Sequence, residues 1–342
     1  MIESRLLRRL SQAVVAAVSL HGFCWAGDTL PVPGSAPSYS SSHYPTPGDS
    51  GFLNHDSDFL FSASKLAGPG GQQIGIQSFA IDERFGNLYT LQLSGKRSGN
   101  QSTINRFSFK DRSKLRTEGY SNPPSAEVGH QGLGIEYLPG RDFRLWSTAN
   151  IDSRQVTRYR YADGRSLDQV QLFRLFGDDF RNHTSATPTI SYDQKYLVAY
   201  GMRRRTSTIV VRAWRLADLV KAGPGDYSKS FTYEWETKKF SGPPVPIQGI
   251  ASDGVRVWIL AGNNSIDSPK RLQSYSIEGE LQSSNEHVWI GRDQARNDGS
   301  GMIYEPEGLA LLRAGNGLIL CAGIISGDLG RRQARIYQIE RL

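Results

Sequence analysis

A fivefold internal repeat constrains this chain more than any other feature. Short apolar segments recur as QSFAIDE from Gln77, QGLGIEY from Gln131, TPTISYD from Thr187, QGIASDG from Gln248 and EGLALLR from Glu307. Their starts lie 54, 56, 61 and 59 residues apart. After each comes a turn and a more continuously apolar stretch: NLYTLQL, FRLWSTA, KYLVAYGM, VRVWILAG and GLILCAG. A third stretch alternates polar and apolar residues, as INRFSFK, QVTRYRY, TIVVRAW, RLQSYSI and ARIYQIE. Continuous apolarity marks a strand buried on both faces, and alternation marks a half-buried one. Weaker fourth strands fall at LRTEGYS, VQLFRLF, FTYEWET and HVWIGR.

Four strands per unit in five units predict an all-β chain folded as a five-bladed β-propeller over residues 57–342. The 36 glycines suit such a turn-rich protein. The fifth unit ends at ARIYQIERL without a fourth strand, while DFLFSAS (58–64) stands unused ahead of the first. The N-terminal strand is therefore expected to complete the last blade and close the ring, which removes exposed sheet edges. A pair of β-sandwiches with coincident spacing is the competing architecture. Only RLADLVKAG (215–223) reads as a helix, of one or two turns.

Ahead of the repeat, residues 1–26 read as a secretory signal peptide. Arg5, Arg8 and Arg9 precede the short apolar run AVVAAVSL, and CWA offers a cleavage site after Ala26. The run is too short to span a bilayer, so no transmembrane segment is expected after cleavage. Residues 27–56, rich in Pro, Ser and Gly, read as a flexible spacer. Cleavage would leave 37 cationic and 32 anionic side chains, a net charge of +5. It would also leave Cys321 as the one cysteine, in the apolar run GLILCAGII, where a buried and inert thiol is expected. The expected location is periplasmic or extracellular.

In a propeller the first strand of each blade lines the central channel. Gln77, Gln131, Thr187, Gln248 and Glu307 are thus expected to form a polar ring at the channel mouth, with His130 and Glu305 just outside it. Such a ring can satisfy buried backbone groups, and it also suits the hydroxyls of a sugar. Asp82, Glu136, Asp193 and Asp253 fall at the far end of the same strands and read as turn residues. As catalytic candidates only Glu305 and Glu307 qualify. Both belong to one blade, which counts against hydrolysis by carboxylates placed on two sides of a bond. No metal-ligand spacing, nucleophile elbow or phosphate-cradling loop is present in the sequence, so no metal or cofactor is expected.

The turns between second and third strands share the mouth's face. They carry Lys96, Arg97, Arg154, Arg203, Arg204, Arg205, Lys270, Arg271, Arg331 and Arg332. Together these predict a basic face able to steer an anionic polymer toward the channel. Nucleic acid fits neither the compartment nor the fold.

The segments QSFAIDERFGNLYTLQ, GHQGLGIEYLPGRDFRLWSTAN, IQGIASDGVRVWILAGN and YEPEGLAL with LILCAGIISG resemble the helveticin J/teichoic acid biosynthesis protein C-like group. That group includes bacteriocin-like proteins and five-bladed receptor-binding modules of phage baseplates. The resemblance runs over about residues 57–342 and implies a five-bladed propeller acting at bacterial surfaces. Thr187-Pro188 departs from the Gln or Glu of the other repeats, and the export signal departs from a phage structural protein. The expected partner is a cell-envelope glycan or anionic polymer, bound at the channel mouth by a lectin-like or bacteriocin-like monomer. The alternatives are an envelope-directed glycosidase or phosphodiesterase using Glu305 and Glu307, or a protein-interaction scaffold.

Overall fold

The computed structural model describes residues 51–52, 59–62, 75–94, 101–108, 120–121, 123–183, 186–298, 303–328 and 332–342. The expected signal peptide, nearly all of the spacer, and Lys96, Arg97 and Arg331 lie outside the described residues.

Five antiparallel sheets follow one another along the chain, each built from the channel outward. Blade I runs Ile76–Asp82, Asn87–Ser94, Gln101–Ser108 and Tyr120–Ser121. Blade II runs Val128–Tyr137, Phe143–Ala149, Gln155–Arg160 and Asp168–Arg174. Gly225–Asp226, from the loop of the next blade, pairs in parallel with that last strand. Blade III runs Thr187–Ile190, Tyr196–Met202, Ile209–Arg215 and Tyr233–Glu236, with the short helix Leu216–Ala222 before its outer strand. Blade IV runs Ile247–Ser252, Arg256–Ala261, Lys270–Ser276 and Leu281–Val288.

Blade V has Tyr304–Ala314, Gly317–Ser326 and Gln333–Arg341, and its outer position is filled from the N-terminal side. Phe59–Ser62 pairs antiparallel with Gln333–Arg341, so the two ends of the chain close one ring. Gly51–Phe52, within the expected spacer, pairs with the C-terminal end of the same strand.

Packing explains the apolarity of the second strands. Among the described residues the buried apolar side chains form five clusters, each between two adjacent blades. A blade is thus covered on both faces, and its middle strands have no solvent side on which to carry polar residues. Trp146, Trp214 and Trp258 are buried in these interfaces. The fourth strand of blade IV lies earlier than expected. Leu281–Val288 forms it, whereas the expected segment HVWIGR runs out of that strand toward the helix Arg292–Asn297. Among the described residues no helix is long and apolar enough to cross a membrane.

Candidate functional site

Local backbone irregularities place the polar ring. The pairing of the first two strands slips between Ile76 and Ser78, between Val128 and Leu133, between Ile247 and Gly249, and between Pro306 and Leu309. Gln77, Gln131, Gln248 and Glu307 each fall within such a slip. A bulge turns a residue out of the ladder and re-aims its side chain. Blade III has no slip: Thr187 pairs directly with Tyr200. The Thr187-Pro188 departure is therefore a regular strand start where the other blades bulge.

The aimed side chains meet across the channel. Gln131 Nε2 of blade II donates to Gln248 Oε1 of blade IV at 2.9 Å, passing over blade III. Gln248 Nε2 donates in turn to Glu305 Oε1 of blade V at 3.2 Å. Gln77 Nε2 of blade I reaches Glu307 Oε1 at 3.4 Å. Tyr200 Oη donates to Ile247 O at 2.9 Å and lies 3.3 Å from Gln131 Oε1, which ties blade III to its neighbours. Thr187, Gln248 and Glu307 are buried, while Gln77, His130, Gln131 and Glu305 are half-buried and form the outer layer.

Burial raises the Glu307 carboxyl well above the ordinary carboxylate range, the Glu305 charge adds to that, and Arg332 opposes it. Burial also raises Glu305, against the pull of Arg332 and Lys270. Burial lowers His130, whose side chain has no hydrogen-bond partner among the described residues. Glu307 Oε2 is buried without a partner. A carboxyl held protonated in the fold contributes stability below its ordinary pKa, and that contribution is lost as pH rises through the raised value. Glu307→Gln, which installs the residue of three other blades, should therefore raise Tm at pH 8 and leave it nearly unchanged at pH 4. Thermal unfolding of both proteins at the two pH values checks this. A lower Tm for the variant at pH 8 would refute it.

The expected basic face is divided by the structure. Arg154 pairs with Asp152 at 2.8 Å and with Asp178, and Arg203 pairs with Asp179 at 2.6 Å with Glu234 and Glu236 nearby. Lys270 and Arg271 do not belong to an exposed face. Lys270 is fully buried, and its Nζ donates to the carbonyls of Asn263, Ser265 and Ser268 at 2.8, 3.3 and 3.1 Å. It also lies 4.0 Å from the centre of the Tyr304 ring. Burial lowers its ammonium to about 7, with Glu305 pulling the other way. Arg271 is buried against Phe240 and donates to Pro243 O. Burial lowers the Arg332 guanidinium while the charges of Glu305 and Glu307 oppose that, which puts Arg332 within electrostatic reach of the mouth. Arg204 and Arg205 are exposed.

At the far end of the inner strands, Asp193 and Asp253 cap turns through Lys195 N and through Val255 N and Arg256 N. Asp82 caps Phe85 N and also accepts from Tyr137 Oη of blade II at 3.1 Å. Glu136 is not a turn residue: it lies buried in an ion pair with Arg158. Among the described residues no group of three or more His, Cys, Asp or Glu is placed to hold a metal ion.

Comparison with known proteins places this architecture. Residues 75–338 match the model of the phage 5-bladed beta propeller receptor binding platform domain. Among solved structures, the tail fibre of Staphylococcus aureus phage P68 is 19% identical with a TM-score of 0.60, over 83% of this chain and 52% of that one. The chain thus spans about half the length of that fibre. An exo-β-1,3-galactanase from Clostridium thermocellum is 10% identical with a TM-score of 0.48, over 78% of this chain and 62% of that chain. An endo-arabinase from Bacteroides thetaiotaomicron is 11% identical with a TM-score of 0.47, over 82% and 97%. The tail-fibre likeness shows the fold alone, and the two glycosidases are too distant for any statement about chemistry. A search of curated proteins gives no match. With a five-bladed ring closed by its own N-terminal strand and a family model matched from the first inner strand to the last blade, the chain belongs to the phage five-bladed β-propeller receptor-binding platform family.

Proposed function

We propose that this propeller is a binding module for a hydroxyl-rich cell-surface glycan, engaged at the channel mouth by Gln77, His130, Gln131 and Glu305. The observation that carries this reading is the run of amides and carboxyls joined across the channel from Gln131 through Gln248 to Glu305. Amides and carboxylates held by one another are preorganised, and a sugar hydroxyl can both donate to and accept from them. Membership of a receptor-binding family supports a ligand on a cell surface. The ion pairs that neutralise Arg154 and Arg203 favour a neutral glycan over an anionic polymer. The protein is exported, its signal peptide is cleaved after Ala26, and it acts in the periplasm or outside the cell, in keeping with the resemblance to bacteriocin-like proteins. Hydrolysis has less support, because Glu305 and Glu307 stand two residues apart on one strand.

Binding to immobilised neutral and anionic envelope polysaccharides tests the reading. The protein should be retained on neutral glycans without releasing sugar, and Gln131→Ala with Glu305→Ala should weaken retention about tenfold or more. Unchanged retention of the double variant would refute a mouth site. Retention on polyanions alone, lost in salt, would refute a neutral glycan.

A further inference from the structure

We infer that the channel end opposite the Gln/Glu ring is a second binding site, for a small neutral polyhydroxylated molecule such as a single sugar ring or a short polyol. A cavity of about 240 Å³ opens there, lined by all five inner strands from Ala80 in blade I to Leu309 in blade V. It does not share the mouth residues, and it stands independently of the reading given for them.

Three observations set the chemistry. First, the Thr189 side chain lines the cavity, is only 8% exposed, and makes no hydrogen bond among the described residues. Its hydroxyl is open to the cavity with donor and acceptor both unused among the described residues, so a ligand or water hydroxyl can pair with it. Second, an inner strand is paired on one side only, so the backbone groups it turns to the axis have no ladder partner. The chain answers part of this demand itself. Gln194 of blade III donates to Ile135 O at 3.1 Å and accepts from Tyr137 N at 2.9 Å on the inner edge of blade II. It does so at a φ of 63°, a region that costs a non-glycine residue energy. Third, the charges at the rim are already engaged. Glu83 accepts from Tyr192 Oη at 2.6 Å and from the backbone N–H of Arg313, and Arg84 donates to Leu138 O and Gly140 O. With Arg84 lining the same cavity and Arg313 beside Glu83, the rim carries both signs of charge, so recognition falls to hydrogen bonds rather than to net charge, as a neutral ligand requires. Apolar walls such as Leu133 and Leu311 suit the C–H face of a sugar. The volume equals about eight waters and lies below the usual ~300 Å³ of drug-sized pockets, which suits a single ring or a short polyol.

The test is saturation-transfer NMR on the whole protein with glycerol, sorbitol, D-glucose and D-galactose, together with thermal unfolding of each variant. At least one probe should respond. Thr189→Val, which keeps shape and removes the hydroxyl, should weaken that probe about fivefold. Thr189→Leu should abolish binding by filling the space. Gln131→Ala with Glu305→Ala should leave the response intact, which separates this site from the mouth. Silence from all four probes would mean that the cavity holds water only, and it would overturn the inference. A response equal to wild type in folded Thr189→Leu would overturn it as well.

Discussion

Replacing Glu136 by alanine is expected to destabilise the protein by about 3–5 kcal/mol, the range for breaking a buried ion pair from one side. Glu136 lies on the inner strand of blade II, and its Oε2 accepts from Trp146 Nε1 on the second strand at 2.7 Å. The same carboxylate takes both Nε and NH2 of Arg158 on the third strand, at 2.7 and 2.9 Å. Arg158 NH1 continues to Gln171 on the fourth strand at 2.7 Å. One polar rung thus crosses all four strands of the blade, with Glu136 and Arg158 at most 9% exposed. Alanine strands the guanidinium and the indole N–H together. Glu136→Gln keeps an acceptor for Trp146 but turns an amide NH2 toward one Arg158 donor and removes the counter-charge, so it should recover only part of the alanine loss. Urea unfolding measures both. A cost below about 1 kcal/mol for alanine would mean that water replaces the carboxylate, and the rung would then be incidental.

That rung also marks where the sequence stops being legible. Glu136 is followed by Tyr-Leu-Pro-Gly, so local chemistry reads it as part of a turn, and only the third dimension brings Arg158 beneath it. The inner and second strands were readable because each blade is covered on both faces, which forces runs such as FRLWSTA to be apolar. The closing strand was readable as a remainder, since four blades had four strands and the fifth had three. Leu281–Val288 was not, because it is an outer strand with a largely solvated face and reads as a polar segment, LQSSNEHV. The cations of the mouth turns were read without their partners. Asp178 and Asp179 come from the loop between blades II and III, about 25 residues from the arginines that they neutralise. The ring is the intermediate case. The recurring Gln or Glu predicted which residues face the channel, but not that amides of blades II and IV would join across it. The slips in pairing that aim those side chains leave one sequence trace, a glycine directly after Gln131, Gln248 and Glu307.

Gly132 tests whether that glycine is a requirement of the ring. Its φ is 74°, and a Cβ there would stand 2.4 Å from Pro188 Cδ and 2.7 Å from Pro188 N of blade III. Two costs add in Gly132→Ala. The left-handed backbone costs an alanine about 1–2 kcal/mol. The contact costs more, because proline and its backbone cannot move aside as the tip of a flexible side chain can. The expected loss is about 3 kcal/mol or more, read as a lower urea midpoint at unchanged slope. Gly140 supplies the control. Its φ is 76°, and nothing lies within 4 Å of an added Cβ, so Gly140→Ala should show the backbone cost alone. The excess of the first variant over the second measures how closely blades II and III approach at the mouth. If the structure yields by moving blade II outward, Gln131 withdraws from Gln248, and glycan retention should fall with stability. Equal costs at the two glycines would mean that Pro188 yields without strain, and the close approach would then not be what holds Gln131 over the channel.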